Sequence, residues 1–183
     1  MTTTARMLIG AADIDAAIAH IAEGCACAVG NPSDVVVAGI AWGGLGFSER
    51  LARALSERTG VEVPVGQLNT NFQRDDIGAK PIPPAKGLTA MPVAVDGARV
   101  ILADDVIASG RTARAALAEL FSLGRPAQVW LAVLCDRGHR RLPIQPDFCG
   151  FTLETDRSET VVVELNPGAV SLTDRIEVFE SDV

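Results

Sequence analysis

Val100-Ile-Leu-Ala-Asp-Asp-Val-Ile-Ala-Ser-Gly-Arg-Thr112 is an apolar run that ends in two acids and then in a small, glycine-containing turn. Val100 to Ala103 are continuous and apolar rather than alternating, which predicts a strand buried on both faces. Asp104 and Asp105 then stand at its carboxyl end, where open α/β sheets bind ligands. Beyond Gly110 the period changes. Ala113, Leu117, Leu120 and Phe121 share one helical face, with Thr112 as the expected N-cap and Gly124 as the stop. The unpaired N–H groups and positive dipole end of that helix favour a phosphate, and paired carboxylates accept hydrogen bonds from adjacent sugar hydroxyls. The stretch therefore predicts a site for a ribose 5-phosphate at a strand end.

Outward from this centre, strand and helix patterns alternate. Ile14, Ile18, Ile21 and Ala22 form one apolar stripe, which predicts a first helix from Asp13 to about Gly24. Asp34-Val-Val-Val-Ala-Gly39 reads as a buried strand that runs into Ile40-Ala-Trp-Gly-Gly44 and then into a helix carrying Phe47, Leu51 and Leu55. A third strand covers Val63 to about Phe72. Residues 74–87 mix Pro, Gly and Lys and read as a lid or a disordered loop, because so long a stretch without periodicity cannot be a core element. Val129 to Leu134, Phe148 to Leu153, Val161 to Leu165 and Ile176 to Phe179 supply further strands. The alternation predicts an α/β fold with a central, mainly parallel sheet flanked by helices. A chain of 183 residues fits one such domain, spanning 1–183.

Composition excludes several classes. No apolar run reaches the ~20 residues that cross a bilayer, and Met1 to Gly10 lacks the apolar core of a signal peptide. A cytoplasmic protein with no membrane partner is expected. Cys25, Cys27, Cys135 and Cys149 have no zinc-site spacing, so they read as reduced, mostly buried thiols, and no protein metal site is predicted. Gly44-Leu-Gly46 opens a helix after a strand, but Glu49 occupies the third glycine position, so the dinucleotide-binding fingerprint fails.

The central segment resembles the phosphoribosyl-diphosphate (PRPP) signature of the type I phosphoribosyltransferases. Gly124-Arg-Pro-Ala-Gln-Val-Trp-Leu-Ala-Val-Leu-Cys-Asp-Arg-Gly-His-Arg-Arg-Leu-Pro-Ile144 is similar to the corresponding stretch of the PyrR family, bifunctional pyrimidine operon regulators and uracil phosphoribosyltransferases. Phe72-Gln-Arg-Asp-Asp76 resembles that family's flexible-loop motif, with Gln73 where an aromatic is usual, and Arg157-Ser-Glu-Thr-Val161 also fits. The resemblance spans nearly the whole chain and is weakest in the first thirty residues. It implies the type I phosphoribosyltransferase fold, with a flexible loop and a small hood beginning at Asp136-Arg-Gly-His139.

The implied activity is conversion of uracil and PRPP to UMP and diphosphate. Asp104 and Asp105 would bind the ribose hydroxyls, and Ala108, Ser109, Gly110, Arg111 and Thr112 would clamp the 5-phosphate. Arg74, with Asp75, would approach the diphosphate. Ile107, Asp136 and Arg137 would line the base pocket, and Mg²⁺ would arrive on the substrate, since it prefers phosphate oxygens and keeps its waters. Dimers or larger assemblies are expected. His20 reads as a surface residue, and His139, Arg140 and Arg141 read as solvated, with RNA contact left open for the last three. On the signature alone purine or orotate substrates stay open; the match at Asp136 to Ile144 favours uracil.

One departure bears on rate. The family's diphosphate loop carries Thr-Arg-Gly or Thr-Gly-Gly, whereas this chain reads Ala41-Trp42-Gly43-Gly44. The glycines allow close backbone approach, but loss of a charge-assisted hydrogen bond costs about 1.5–3 kcal/mol, so turnover is expected to be slow. The alternative reading is a non-catalytic sensor of UMP or PRPP that regulates pyrimidine gene expression through leader mRNA. Net charge is −7 and pI about 4.8, so RNA binding would need a concentrated basic face, which Arg137, Arg140, Arg141 and Arg157 would have to supply.

Overall fold

The protein is described here by a computed structural model covering residues 5–40, 43–70 and 88–180. Its elements in chain order are β1 (Met7–Gly10), α1 (Ala11–Val29), β2 (Val35–Ile40), α2 (Gly44–Thr59), β3 (Val65–Leu68), β4 (Arg99–Ile107), α3 (Arg111–Leu123), β5 (Gln128–Asp136), β6 (Phe148–Thr152), β7 (Glu159–Glu164) and β8 (Arg175–Glu180). Every residue of β2 is buried, as its unbroken apolar run requires of a central strand. Five strands pair in parallel in the order β3-β2-β4-β5-β6.

Alternate residues of the central strands serve opposite faces. Val35, Val37, Ile101, Ala103 and Ala132 pack with Ile14 and Ile18 of α1 and Phe47 and Leu51 of α2. Val36, Ala38, Val100, Leu102 and Val133 pack with Ala113, Ala116 and Leu120 of α3. The right-handed crossovers of a parallel sheet place helices on both faces in this way. A second sheet, antiparallel in the order β1-β8-β7, lies on the side of α1 and α2, where Ile176 and Val178 of β8 join the first core.

The two sheets are tied together at a buried ion pair. Arg50 of α2 donates to Asp174 at 2.6 Å and to Asp15 of α1 at 3.0 Å. Asp174 also accepts the backbone N–H groups of Asn166 and Ser171, so its carboxylate organises the β7–β8 connection. Burial pushes the Asp174 carboxyl up, but those N–H groups and Arg50 outweigh it and hold the carboxyl below its ordinary value.

Several sequence expectations are corrected. α1 continues through Gly24 to Val29, because Phe148 packs where a side chain on Gly24 would sit, and Gly30 at φ 69° ends the helix instead. β4 continues to Ile107, so the two acids lie within the strand rather than after it. Thr112 is not the N-cap of α3; Gly110, at φ 86°, takes that position without a side-chain cap. Phe121 is exposed rather than part of the buried face. β3 spans only Val65–Leu68, and the expected Phe72 end lies outside the described residues. β1 has too short an apolar run to be read from sequence, and it is defined by pairing with β8. The covering sheet is thus built from both ends of the described chain, not only from the segment after β5.

The structure predicts that Asp174→Ala lowers stability by about 3–5 kcal/mol in urea denaturation at pH 7, because Arg50 is left buried beside only the exposed Asp15. A depressed carboxyl stabilises above the ordinary carboxylate range and loses that contribution as pH falls through its folded value. The deficit of the variant should therefore shrink when the same titration is run in acid.

Candidate active site

Among the described residues β2 pairs with β4 as far as Gly39 opposite Ala103, and β5 pairs with β4 to Asp136 opposite Ile107. Asp104 and Asp105 follow the last of these β2 pairings. The start of α2 lies against them. A Cβ on Gly43 would overlap the Asp105 carboxylate, and one on Gly44 would overlap the carbonyl oxygen of Ala103. Only glycine permits this approach. The start of α3 lies just beyond Ile107, and the N-cap residue of each helix is a glycine with no side chain to cap it. Two positive helix ends thus flank the acid pair.

The acids are costly to ionise. Asp104 is 6% exposed and Asp105 is half-buried. Burial raises the Asp104 carboxyl well above its ordinary value, and the neighbouring Asp105 raises it further. Burial also raises Asp105, although the N–H of Val106, at 2.8 Å from Oδ1, partly offsets this. Cys135 lies close enough to Asp105 for its thiol to be pushed up, mainly by burial. Cys25, on α1, is likewise buried and pushed up to about 12, while Cys27 is exposed. Both buried thiols stay protonated and unreactive at neutral pH.

The phosphate-binding candidates Ala108 to Thr112 form the turn from β4 into α3. Ser109 Oγ accepts the N–H of Arg111 at 3.3 Å, and Gly110 supplies the left-handed turn that aims the helix start. The base-binding candidates lie alongside: Ile107 is buried, and its carbonyl accepts the N–H of Arg137 at 3.1 Å. Arg137 is half-buried, donates to the carbonyl of Asp156 at 3.0 Å, and leaves its Nε buried without a hydrogen-bond partner. The Asp136 carboxylate is occupied by both Nη atoms of Arg140 and by the N–H of Gly138.

Arg140 was expected to be solvated, and it is not: its side chain is 15% exposed and enclosed by acceptors. The ring Nε2 of His139 is likewise engaged, 2.8 Å from the carbonyl oxygen of Thr155. An opposite charge four residues after Asp136 hinted at a pair, but outside a helix that spacing carries little meaning. His20 is exposed, and so is Arg141.

A cavity of about 770 Å³ opens beside the acid pair, between the start of α2 and the β7–β8 connection. Gly43, Glu49 and Asp105 form one wall; Glu164, Asn166 and Asp174 belong to the other. No lysine or arginine lines it among the described residues. Sequence reading missed Glu49, Asn166 and Asp174 because their elements meet only through the second sheet. Ala41, Trp42 and Arg74 lie outside the described residues, as does the expected 74–87 lid. Among the described residues no cluster of three or more His, Cys, Asp or Glu could hold a metal ion, and no helix is long and apolar enough to cross a membrane.

The chain is similar to known proteins in sequence and in fold. Residues 10–167 match the phosphoribosyl transferase domain family. The chain is 42% identical over 160 residues to the bifunctional protein PyrR of Chloroflexus aurantiacus, covering 87% of this chain and 88% of that protein. It is 40% identical over 175 residues, 96% of each chain, to the bifunctional protein PyrR of Thermus thermophilus. The hypoxanthine phosphoribosyltransferase of Trypanosoma cruzi is similar in structure, with a TM-score of 0.69 at 18% identity over 100% of this chain and 98% of that one. At that identity the likeness is one of fold.

Two outcomes follow from the site's geometry. A carboxyl raised by burial stabilises the fold below the ordinary carboxylate range and loses that contribution as pH rises through its folded value. Asp104→Asn, which cannot ionise, should therefore melt higher than the unaltered protein at pH 8, by roughly 2–4 °C, and not at pH 4. Gly44→Ala should lower the melting temperature at both pH values, since the Ala103 carbonyl cannot yield without moving β4.

Proposed function

The chain belongs to the phosphoribosyl transferase domain family and, within it, to the PyrR proteins, and from this we propose that it makes UMP and diphosphate from uracil and PRPP. The observation that carries the reading is the acid pair of buried Asp104 and half-buried Asp105, bordered by two helix starts with glycine at the N-cap. In the proposed reaction the bond from the anomeric carbon to the diphosphate oxygen breaks, a bond from that carbon to a ring nitrogen of uracil forms, and the nitrogen's proton passes to solvent. Positive charge develops on the sugar as the leaving group departs. Asp104 and Asp105 accept hydrogen bonds from the ribose hydroxyls and place negative charge near that cation. The turn from Ala108 to Thr112 receives the 5-phosphate through backbone N–H groups and the hydroxyls of Ser109 and Thr112. Ile107, Asp136 and Arg137 border the base, with the buried Nε of Arg137 an available donor.

The cavity beside Asp105 is the space assigned to diphosphate. Its charged described residues are all acids, so an anion entering it must bring positive charge of its own. A divalent cation carried on the substrate would bring that charge, with the carboxylates of Asp105, Glu49 and Glu164 as partners for its water shell. Mg²⁺ bound in this way would neutralise the leaving diphosphate. Loss of the loop hydroxyl at Ala41 is expected to slow turnover without abolishing it.

Regulation through leader RNA is the weaker reading for this chain. Arg6, Arg50, Arg58, Arg99, Arg140 and Arg175 are each tied to a carboxylate. Of the four arginines expected to form a basic face, Arg140 is thus consumed internally and Arg137 is half-buried.

Labelled uracil incubated with PRPP and Mg²⁺ should give UMP, chelation should abolish it, and Asp104→Asn should reduce it on the order of 100-fold. A wild-type protein that makes no nucleotide from uracil, orotate, hypoxanthine or guanine would overturn the enzymatic reading.

A further inference from the structure

Arg140 connects the two halves of the site. Its Nε donates to the carbonyl of Ile144 at 2.8 Å, Nη1 donates to the carbonyl of Ala108 at 2.7 Å and to Asp136 at 3.0 Å, and Nη2 donates to Asp136 at 2.6 Å. Ala108 belongs to the phosphate turn, whereas Asp136 and Ile144 bound the segment beside the base. The same two segments are joined by the backbone N–H groups of Arg141 and Leu142, both donating to the carbonyl of Ser109 at 3.0 and 3.1 Å. Leu142 and Ile144 also pack over Gly110, in van der Waals contact with the place a side chain there would occupy.

The chain accepts an unfavourable conformation to build this junction. Gly138 and His139 have φ of 74° and 64°, and His139 is the one non-glycine residue with positive φ among those described. A non-glycine residue in the left-handed region persists only where its surroundings enforce it, and such residues concentrate at functional sites. Here the reversal at Gly138 and His139 turns the chain back so that Arg140 reaches Ala108. The His139 ring, held by Thr155, braces that turn from outside.

We propose that Arg140 is a positioning residue that makes the phosphate turn and the base-side segment one mechanical unit, so that a phosphoribosyl group seated on the turn also sets the base pocket. The inference rests on the phosphoribosyl reading above and deepens it. Guanidinium is suited to this junction because its planar fork grips a carboxylate through two nitrogens while Nε and the outer N–H reach two carbonyls on different segments. Lysine offers three donors from one point and cannot span them. Coupling of this kind is reciprocal: whatever orders the turn orders the base segment, and the converse.

Hydrogen exchange tests the junction without relying on turnover. Ribose 5-phosphate or UMP added to the unaltered protein should protect amides of both 108–112 and 137–144. In Arg140→Lys the same ligands should protect 108–112 alone. In steady-state assays the variant should show KM values for PRPP and uracil raised about ten-fold or more, with millimolar guanidinium restoring them in Arg140→Ala. A merely destabilised fold would lower kcat through the active fraction and leave both KM values in place. If the unaltered protein shows no protection at 108–112 with either ligand, the phosphoribosyl reading fails and this inference falls with it. If protection spreads to 137–144 in Arg140→Lys as it does in the unaltered protein, or its KM values stay within two-fold, the inference alone is overturned.

Discussion

Among the described residues, main-chain pairing between β2 and β4 runs to Ala103 and pairing between β4 and β5 runs to Ile107. β5 thus holds Asp104 and Asp105 in the sheet at the carboxyl end of β4. A parallel sheet buries its strands on both faces, so polar side chains within it are tolerated only near such an end. The start of α2 lies against this end of β4, where Gly43 and Gly44 closely approach Asp105 and Ala103. A shorter β4 would detach the acids from the sheet that aims them.

Two buried aspartates show how the surroundings assign different work to one residue type. Asp174 is surrounded by Arg50 and two backbone N–H groups, and its carboxyl is held low. Asp104 is also buried, but its neighbour is another acid, and its carboxyl is pushed high. The first arrangement is complete without a ligand and fastens the second sheet to α2. The second favours an incoming group that donates hydrogen bonds or brings positive charge, since either favours the ionised acid. Stability is built into one site and withheld from the other.

The sequence made the central sheet legible because β2, β4 and β5 are continuous apolar runs, a pattern that tertiary context rarely overrides. The acid pair was legible for the same reason, since it interrupts such a run just before a glycine turn. Boundaries were less so: Gly24 reads as a helix stop unless Phe148 is known to pack against it, and Thr112 reads as a cap unless the left-handed turn at Gly110 is seen. The second sheet was only partly visible, because β1 takes its identity from β8, more than 160 residues away. Arg140 was misread for a related reason. A charged residue in a loop is usually solvated, and nothing local reports that Ala108 and Ile144 present carbonyl oxygens to it.

The acidic character of the chain is consistent with binding a strongly anionic substrate once the source of positive potential is identified. With a net charge of −7 and a diphosphate cavity lined, among the described residues, by acids and neutral groups, attraction cannot come from a cluster of basic side chains in that wall. In the proposed reading, backbone N–H groups at the starts of α2 and α3 and a cation travelling with the substrate contribute that potential. Helix starts act over about one turn, and their reach is short compared with that of a lysine-rich surface. In that reading the helix starts favour a small ligand whose phosphates and metal fit beside them. Several arginines are engaged within the fold: Arg50 fastens the second sheet, Arg99 ties β4 to the loop before β2, and Arg140 joins the turn after β4 to the segment after β5. These three arginines fix the walls around the acid pair.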